Sequence, residues 1–365
     1  MTARRRFIAR SVALAALPFI STRTTRALAA ASKPKLGFAL CGLGDLSEHQ
    51  IAPALLKTTR CRLTGLITDS PAKATVWQSK YGIPARSVYT YDTMARMADN
   101  PDIDVVYVVT PNALHLQHGS AAAKAGKHVF CEKPLEISVE RCRQLIRAVE
   151  TANRKLGVAY RCRFEPHHLE AIRLAHSREI GALRSIEAYF GFDIQPSVWR
   201  LKRALSGGGP LLDVGIYALQ ATRYLTGKEP TWVSGVTTGG DAARFSEVEA
   251  TVLWQAKFPS GTVTQCGASY ACAPTGYVRA IGEHGGFTLD PAFNYAGIRG
   301  LRSDGRPIAF PDSDQFAAEM DDFARCIQED TPSIVSGEEG LRDVRIMMAI
   351  YQSARTGAPV DLTRA

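Results

Sequence analysis

A chain of 365 residues, 45% hydrophobic and 22% charged, is long enough for two domains and has the composition of an ordinary globular protein. Its formal charge of +9 points toward nucleic acid, yet six of the 44 basic residues and none of the 35 acidic ones fall in residues 1–29. The remainder stands at 38 basic to 35 acidic, or +3, with no basic block, which argues against nucleic-acid or anionic-membrane partners.

Residues 1–29 have the order of a twin-arginine signal peptide. Arg4-Arg5-Arg6-Phe7-Ile8 is followed by an apolar run from Val12 to Ile20 and by small residues at Ala27-Leu28-Ala29. Cleavage and export through the Tat machinery to the periplasm are expected, with an uncleaved amphipathic arm as the alternative. Val12–Ile20 is too short to span a bilayer and no later stretch is long enough, so no membrane anchor is expected. The eight cysteines (Cys41, Cys61, Cys131, Cys142, Cys162, Cys266, Cys272 and Cys326) show neither a CxxC pair nor zinc-ligand spacing, and no metal is expected. A Cys266–Cys272 disulfide stays open.

Over residues 33–160 short apolar strands alternate with helical stretches. The strands are Leu36–Cys41, Leu63–Thr68, Val105–Thr110, His128–Cys131 and Leu156–Tyr160. The helices are Ile51–Lys57, Ala72–Tyr81, Ala113–Ala125 and Val139–Asn153. Strands apolar on both faces, with helices between them, predict an α/β fold: a doubly wound parallel sheet of the Rossmann type. Residues 161–365 change rhythm. A helix at Pro166–Ser177 and a strand at Ser185–Asp193 precede Gly207-Gly208-Gly209-Pro210 and a helix to about Leu225. Strands Val248–Phe258 and Thr262–Ala271 meet at Pro259-Ser260-Gly261, a turn falls at Gly285-Gly286, and helices Gln315–Gln328 and Glu338–Ala354 follow. This predicts an α+β substrate domain on an open, largely antiparallel sheet, whose bare face suits a homodimer or homotetramer.

Five places carry chemistry. Gly42-Leu43-Gly44, with Asp45 and Leu46 behind it, ends the first strand where backbone can approach a pyrophosphate; a tight turn is the alternative, and Ser47 or Glu48 stands near the place of the usual third glycine. At the second strand's end Asp69 would favour NAD through the ribose 2′-hydroxyl, Lys73 would favour NADP, and Asp69 could instead cap a helix. Thr110-Pro111-Asn112 and His115 end the next strand as candidate cofactor contacts; a helix-capping Asn112 and a solvated His115 are the alternatives. Glu132-Lys133-Pro134 ends a buried strand at the same sheet edge. On the helix after the triple glycine, Asp213, Tyr217 and Gln220 share one stripe. Moving hydride to or from a carbon that bears oxygen needs an acid–base group, and a tyrosine that titrates near about 10 needs a neighbouring ammonium such as Lys133 to serve. A packed core tyrosine is the alternative.

AGKHVFCEKP, TPNALH, GGGPLLDVGIYALQATRYLTG and EEGLRDVRIMMAIYQSARTGAPV together resemble the Gfo/Idh/MocA oxidoreductases, and most the periplasmic glucose–fructose and aldose–aldose oxidoreductase branch. The resemblance covers essentially the whole chain. It implies a Rossmann domain followed by an α/β domain that dimerises through its open sheet. It implies Lys133 as a polarising catalytic residue, Asp213 as the residue orienting substrate and Tyr217 as proton donor and acceptor. It also implies Thr68, Lys73, Tyr91, Asn112, His115, Glu132, Arg161, Trp199, Arg200 and Tyr295 around cofactor or sugar, with Arg163 beside Tyr217 and Tyr295 on the substrate. Tyrosine at 217, where many members carry histidine, is similar to the sugar-dismutating branch. Asp69 replaces a glycine of that branch; related xylose and dihydrodiol dehydrogenases keep NADP with an acid there, so NADP is expected, tightly bound, with NAD as alternative. The implied reaction oxidises an aldose to a lactone and reduces a second sugar to a polyol by ping-pong hydride transfer. An exported NAD-dependent glycosidase, a simple sugar or dihydrodiol dehydrogenase, and a nucleotide-bound sensor are the rivals.

Overall fold

Strand β1 (Leu36–Cys41) lies in the middle of a parallel sheet and buries both its faces. Phe38 and Leu40 enter one apolar core while Ala39 and Cys41 enter the other, as expected where helices cover both sides of a sheet. The computed structural model describes residues 34–363; the proposed leader lies outside the described residues. With β2 (Cys61–Ile67), β3 (Val88–Tyr89), β4 (Val105–Val108), β5 (His128–Glu132) and β6 (Leu156–Ala159), the sheet runs β3-β2-β1-β4-β5-β6. Strand order therefore reverses between β1 and β4, and the chain leaves these two strands in opposite directions. That point opens a crevice at their carboxyl ends.

The connecting helices are α1 (Ala52–Leu55), α2 (Pro71–Tyr81), α3 (His115–Lys124) and α4 (Val139–Thr151). The predicted helix after β1 starts earlier, as a π-turn over Ser47–Ile51, because the Ser47 hydroxyl donates to Gly42 O at 2.6 Å and pulls the turn onto the glycine loop.

The second sheet has nine strands in the order β14-β13-β12-β11-β7-β10-β9-β8-β15. They are β7 (Leu183–Gly191), β8 (Trp232–Thr238), β9 (Thr251–Lys257), β10 (Val263–Ser269), β11 (Thr275–Gly282), β12 (Gly286–Leu289), β13 (Gly300–Arg302), β14 (Pro307–Ile308) and β15 (Val360–Asp361). Every neighbouring pair is antiparallel except β7–β10. The inner face (Ile186, Ala188, Trp254, Cys266, Val278) is buried under α7 (Ile216–Thr226) and α9 (Gly337–Thr356), with α5 (Pro166–Ser177) packed on α7. The outer face is bare and partly apolar, with Val236, Leu253, Val263 and Ile281 exposed. At its middle Tyr189 and Leu253 close over Gly267, where a Cβ would stand 2.5 and 2.6 Å from their side chains.

Part of the cover of the first sheet comes from outside residues 33–160. Helix α8 (Gln315–Gln328) returns to it and lays Phe316, Met320 and Phe323 on Leu40, Tyr107 and Phe130. Phe323 stacks on Phe130 at 4.9 Å, and Gly157 admits it, since a Cβ there would lie 2.7 Å from the ring. A sheet face needs cover, and the chain supplies it from far away in sequence. All eight cysteines are unpaired, so no Cys266–Cys272 bond forms; Cys266 faces the core and Cys272 lies beyond the end of its strand. Among the described residues no helix is long and apolar enough to cross a membrane.

Candidate active site

The crevice at the strand-order reversal is a continuous cleft of about 1030 Å³ that reaches from the glycine loop to Tyr217. Gly42 has φ +102°, a conformation side chains rarely adopt, and a Cβ there would meet Val109 O at 2.8 Å. A Cβ on Gly44 would meet nothing within 4 Å. This leaves open backbone, with Leu43, Asp45 and Leu46 beside it on the cleft wall, which suits close approach by a phosphate.

Thr68, Ser70 and Lys73 face the cleft, and Lys73 Nζ donates to Leu43 O at 2.9 Å. Asp69 does not face it. Its Oδ1 accepts from Tyr91 N at 3.0 Å, and the helix-cap role falls instead to Ser70, which caps α2. Tyr91 lies on the cleft with its ring stacked on His118 at 4.5 Å. Thr110, Pro111 and Asn112 follow β4 along the wall, and Asn112 Nδ2 donates to Ser206 O at 2.9 Å, tying the two halves together. Ser206 closes the single-turn helix α6 (Arg203–Ser206).

His115 is a further correction. It is fully buried and outside the cleft, its Nε2 2.9 Å from Thr110 O and its Nδ1 3.0 Å from Pro134 O. It joins the loops after β4 and β5, and burial disfavours its charged form.

At the far end the candidate catalytic groups converge. Lys133 Nζ donates to Asp213 Oδ1 at 3.0 Å and to Asp213 O at 2.7 Å. Asp213 Oδ2 accepts from the Tyr270 hydroxyl at 2.8 Å and lies 3.2 Å from Arg200 Nε. Burial alone would raise the Asp213 carboxyl, but the Lys133 and Arg200 cations overcome it and hold the group well below the usual range. Arg200 rests on the Trp199 ring at 4.8 Å, and both line the cleft.

Tyr217 receives its hydrogen bond from Arg161 Nε at 3.1 Å, while the Lys133 ammonium sits over the ring face, 5.0 Å from its centre. The cation at the phenol oxygen is therefore Arg161, not the expected Lys133. Burial lifts the phenol above its ordinary value, and Arg161 opposes that lift without reversing it. Arg161 is fixed by Phe293 O at 2.7 Å and Gln315 Oε1 at 2.8 Å, and it lies over the Tyr295 ring at 4.7 Å. Tyr295 and Glu132 also line the cleft; Glu132 accepts from the Tyr107 hydroxyl at 2.9 Å and from Lys133 N at 3.2 Å.

Arg163 and Gln220 do not join them. Arg163, two residues on in the tight turn Arg161–Phe164, points the other way and covers the Tyr224 ring at 5.3 Å. Gln220 turns from the cleft and donates to Asp343 Oδ2 at 2.8 Å. Tyr270, Phe293 and Gln315 escaped the sequence reading. Tyr270 looked like one more residue of a strand predicted to reach Ala271, and Gln315 merely opened a helix.

Residues 36–160 match the family model "Oxidoreductase family, NAD-binding Rossmann fold", and residues 168–288 match the "GFO/IDH/MocA C-terminal domain". The chain belongs to the Gfo/Idh/MocA family of oxidoreductases. It is similar to the crystal structure of aldose-aldose oxidoreductase from Caulobacter crescentus complexed with glycerol, at 41% identity and TM-score 0.87, covering 90% of this chain and 100% of that one. D-xylose 1-dehydrogenase [NADP(+)] of Haloarcula marismortui is 30% identical over 335 residues, 89% of this chain and 92% of that protein. D-xylose 1-dehydrogenase (NADP(+)) 2 of Haloferax volcanii is 29% identical over 333 residues, 89% and 99% respectively. As a Gfo/Idh/MocA oxidoreductase, the protein has a cleft that fits a dinucleotide along its length: open backbone at the glycine loop, polar side chains at Thr68 and Ser70, and the Glu132–Lys133 pair toward the reacting end.

Proposed function

We propose that this protein is a sugar oxidoreductase of the periplasm that retains NADP and transfers hydrogen from one sugar to another in two half-reactions. The observation that carries the reading is the meeting of Lys133, Asp213 and Tyr217 at one end of a cleft whose other end is the glycine loop. The 41% identity with a protein described as an aldose-aldose oxidoreductase supports the substrate class, and the leader of residues 1–29 supports the location.

When bound, the nicotinamide supplies the hydride acceptor and later the donor. Tyr217 takes the hydroxyl proton of an aldose as its anomeric C–H bond breaks, and a lactone leaves. Tyr217 then returns the proton to the carbonyl oxygen of a second sugar, which leaves as a polyol. Two electrons and two protons leave the first sugar and enter the second, so no outside oxidant is needed. Lys133 and Asp213 hold the reacting oxygen within reach of the phenol.

The ribose end supports a preference for the 2′-phosphate. Asp69, the acid that would repel it, is engaged with Tyr91 N, whereas Thr68, Ser70 and Lys73 face the cleft.

Protein purified without added nucleotide is expected to carry NADP, released on denaturation. Its absorbance in the reduced-nicotinamide band should rise with one sugar and fall with a second. A protein that turns over only with added nucleotide would be a simple dehydrogenase, and one that is empty and stays empty would defeat the proposal. The bare sheet face with Val236, Leu253, Val263 and Ile281 suits a second copy of the chain; a monomer mass in light scattering would overturn that assembly.

A further inference from the structure

We infer that Glu249 and Tyr351 form a buried anchor that sets the position of the catalytic helix, and that Gly208 and Gly209 are there to admit them. The inference rests on the reading above that Asp213 and Tyr217 act on substrate.

Both residues ride one helical rod. It begins after Pro210, winds as a π-turn over Leu211–Gly215 and continues as α7. The first amides of a helix lack partners within it, and buried ones must find acceptors elsewhere. Pro210 offers no side-chain cap. Glu249, from the segment before β9, takes that place. Its Oε2 accepts from Gly209 N at 3.1 Å and its Oε1 from Leu211 N at 3.4 Å. Tyr351 of α9 donates to the same Oε1 at 2.6 Å and fixes the carboxylate's orientation. Neither residue lines the cleft.

The glycines explain themselves by what a side chain would strike. A Cβ on Gly208 would lie 2.2 Å from Tyr351 Oη. On Gly209 it would lie 2.5 Å from Glu249 O and 2.8 Å from its Cδ. On Gly207, which has φ +79°, it would lie 2.5 Å from Ile137 Cβ, in the loop that follows Glu132-Lys133-Pro134. None of the three glycines faces the cleft.

The same helix α9 grips the rod further along. Asp343, fully buried, accepts from Gln220 Nε2 at 2.8 Å and from Arg223 Nη1 at 2.6 Å. With both points held by one neighbour, the rod's axial setting is fixed. Asp213 and Tyr217 lie between the two grips, so release at Glu249 shifts Asp213 against Lys133 and Arg200. Glu249 and Tyr351 are thus positioning residues.

The test uses the full exported chain with its nucleotide, as Y351F and E249Q. Glutamine keeps the shape but sets an amide N–H₂ against one of the two backbone donors. Expected in both are parental nucleotide content, faster amide exchange over residues 209–217, and a kcat lowered about ten- to hundredfold with KM within about twofold. The double variant should be no worse than the weaker single, since both changes undo one device. Faster exchange with unchanged kcat, or a loss of kcat that follows lost nucleotide, would overturn the proposal. Failure of the catalytic reading itself has a separate signature: Tyr217→Phe at parental rate, whatever these two variants do.

Discussion

Tyr217→Phe lowers turnover about 10²–10⁴-fold, the span that proton transfer by one placed side chain contributes, while nucleotide content stays at the parental level. The phenol touches Arg161 Nε and packs edge-on against Phe190, contacts that fix the ring and leave the glycine loop untouched. Phenylalanine keeps the packing and loses only the oxygen. The pH dependence gives an independent check. Burial raises the phenol above its ordinary value of about 10, so the ionised form gains about tenfold per pH unit throughout the neutral and mildly alkaline range. In the proposed mechanism oxidation of the first sugar uses that ionised form as base and should quicken with pH without levelling before about pH 9. Reduction of the second sugar uses the protonated form, already full, and should be flat. Rapid-mixing absorbance measures the two half-reactions separately. In the variant the rise with pH disappears; its survival, or near-parental turnover, would take Tyr217 out of the chemistry.

Lys133→Met should cost about 10²–10³-fold in kcat, comparable to the loss of a preorganised donor at a reacting oxygen. An ammonium has three N–H bonds. Two are spent on Asp213 O and Oδ1, which leaves one for substrate. Methionine removes that donor and also one of the two cations that hold Asp213 ionised under burial. Arg200 and the Tyr270 hydroxyl remain on Oδ2, so the carboxylate is weakened and not orphaned. Lys133→Arg should rescue little, because a planar fork cannot meet a backbone oxygen and a carboxylate from the same point. Single-turnover rates at saturating sugar read the effect, and a methionine variant within tenfold of the parent would deny Lys133 its role.

How much of this was legible in the sequence depends on what places each atom. Groups carried to the cleft by a strand end were readable, since the alternating pattern fixes where a parallel strand stops: Gly42 after β1, Asn112 after β4, Glu132 and Lys133 at β5. Helices with clear caps were readable to the residue, as at Pro166–Ser177 and Gln315–Gln328, where Glu165 and Asp314 accept from the first-turn amides. The direction a side chain takes after a strand was not. Asp69 stood at the ribose position by count, but its carboxylate answers to an amide 22 residues further on. His115 was placed one turn into a helix, and only the tertiary fold brings Thr110 O and Pro134 O to its ring. Arg161 and Arg163 could not be told apart by sequence alone, because a tight turn sends them to opposite sides. The two residues of β3 carry too little pattern for any period to show.

The return of α8 to the first sheet has a consequence for the order of assembly. Phe130 and Leu40 emerge early from the ribosome, and the surface that shields them is translated near the end, at residues 315–328. The half of the molecule made first is therefore the half completed last. The first sheet gains its full cover only after most of the second sheet has been made.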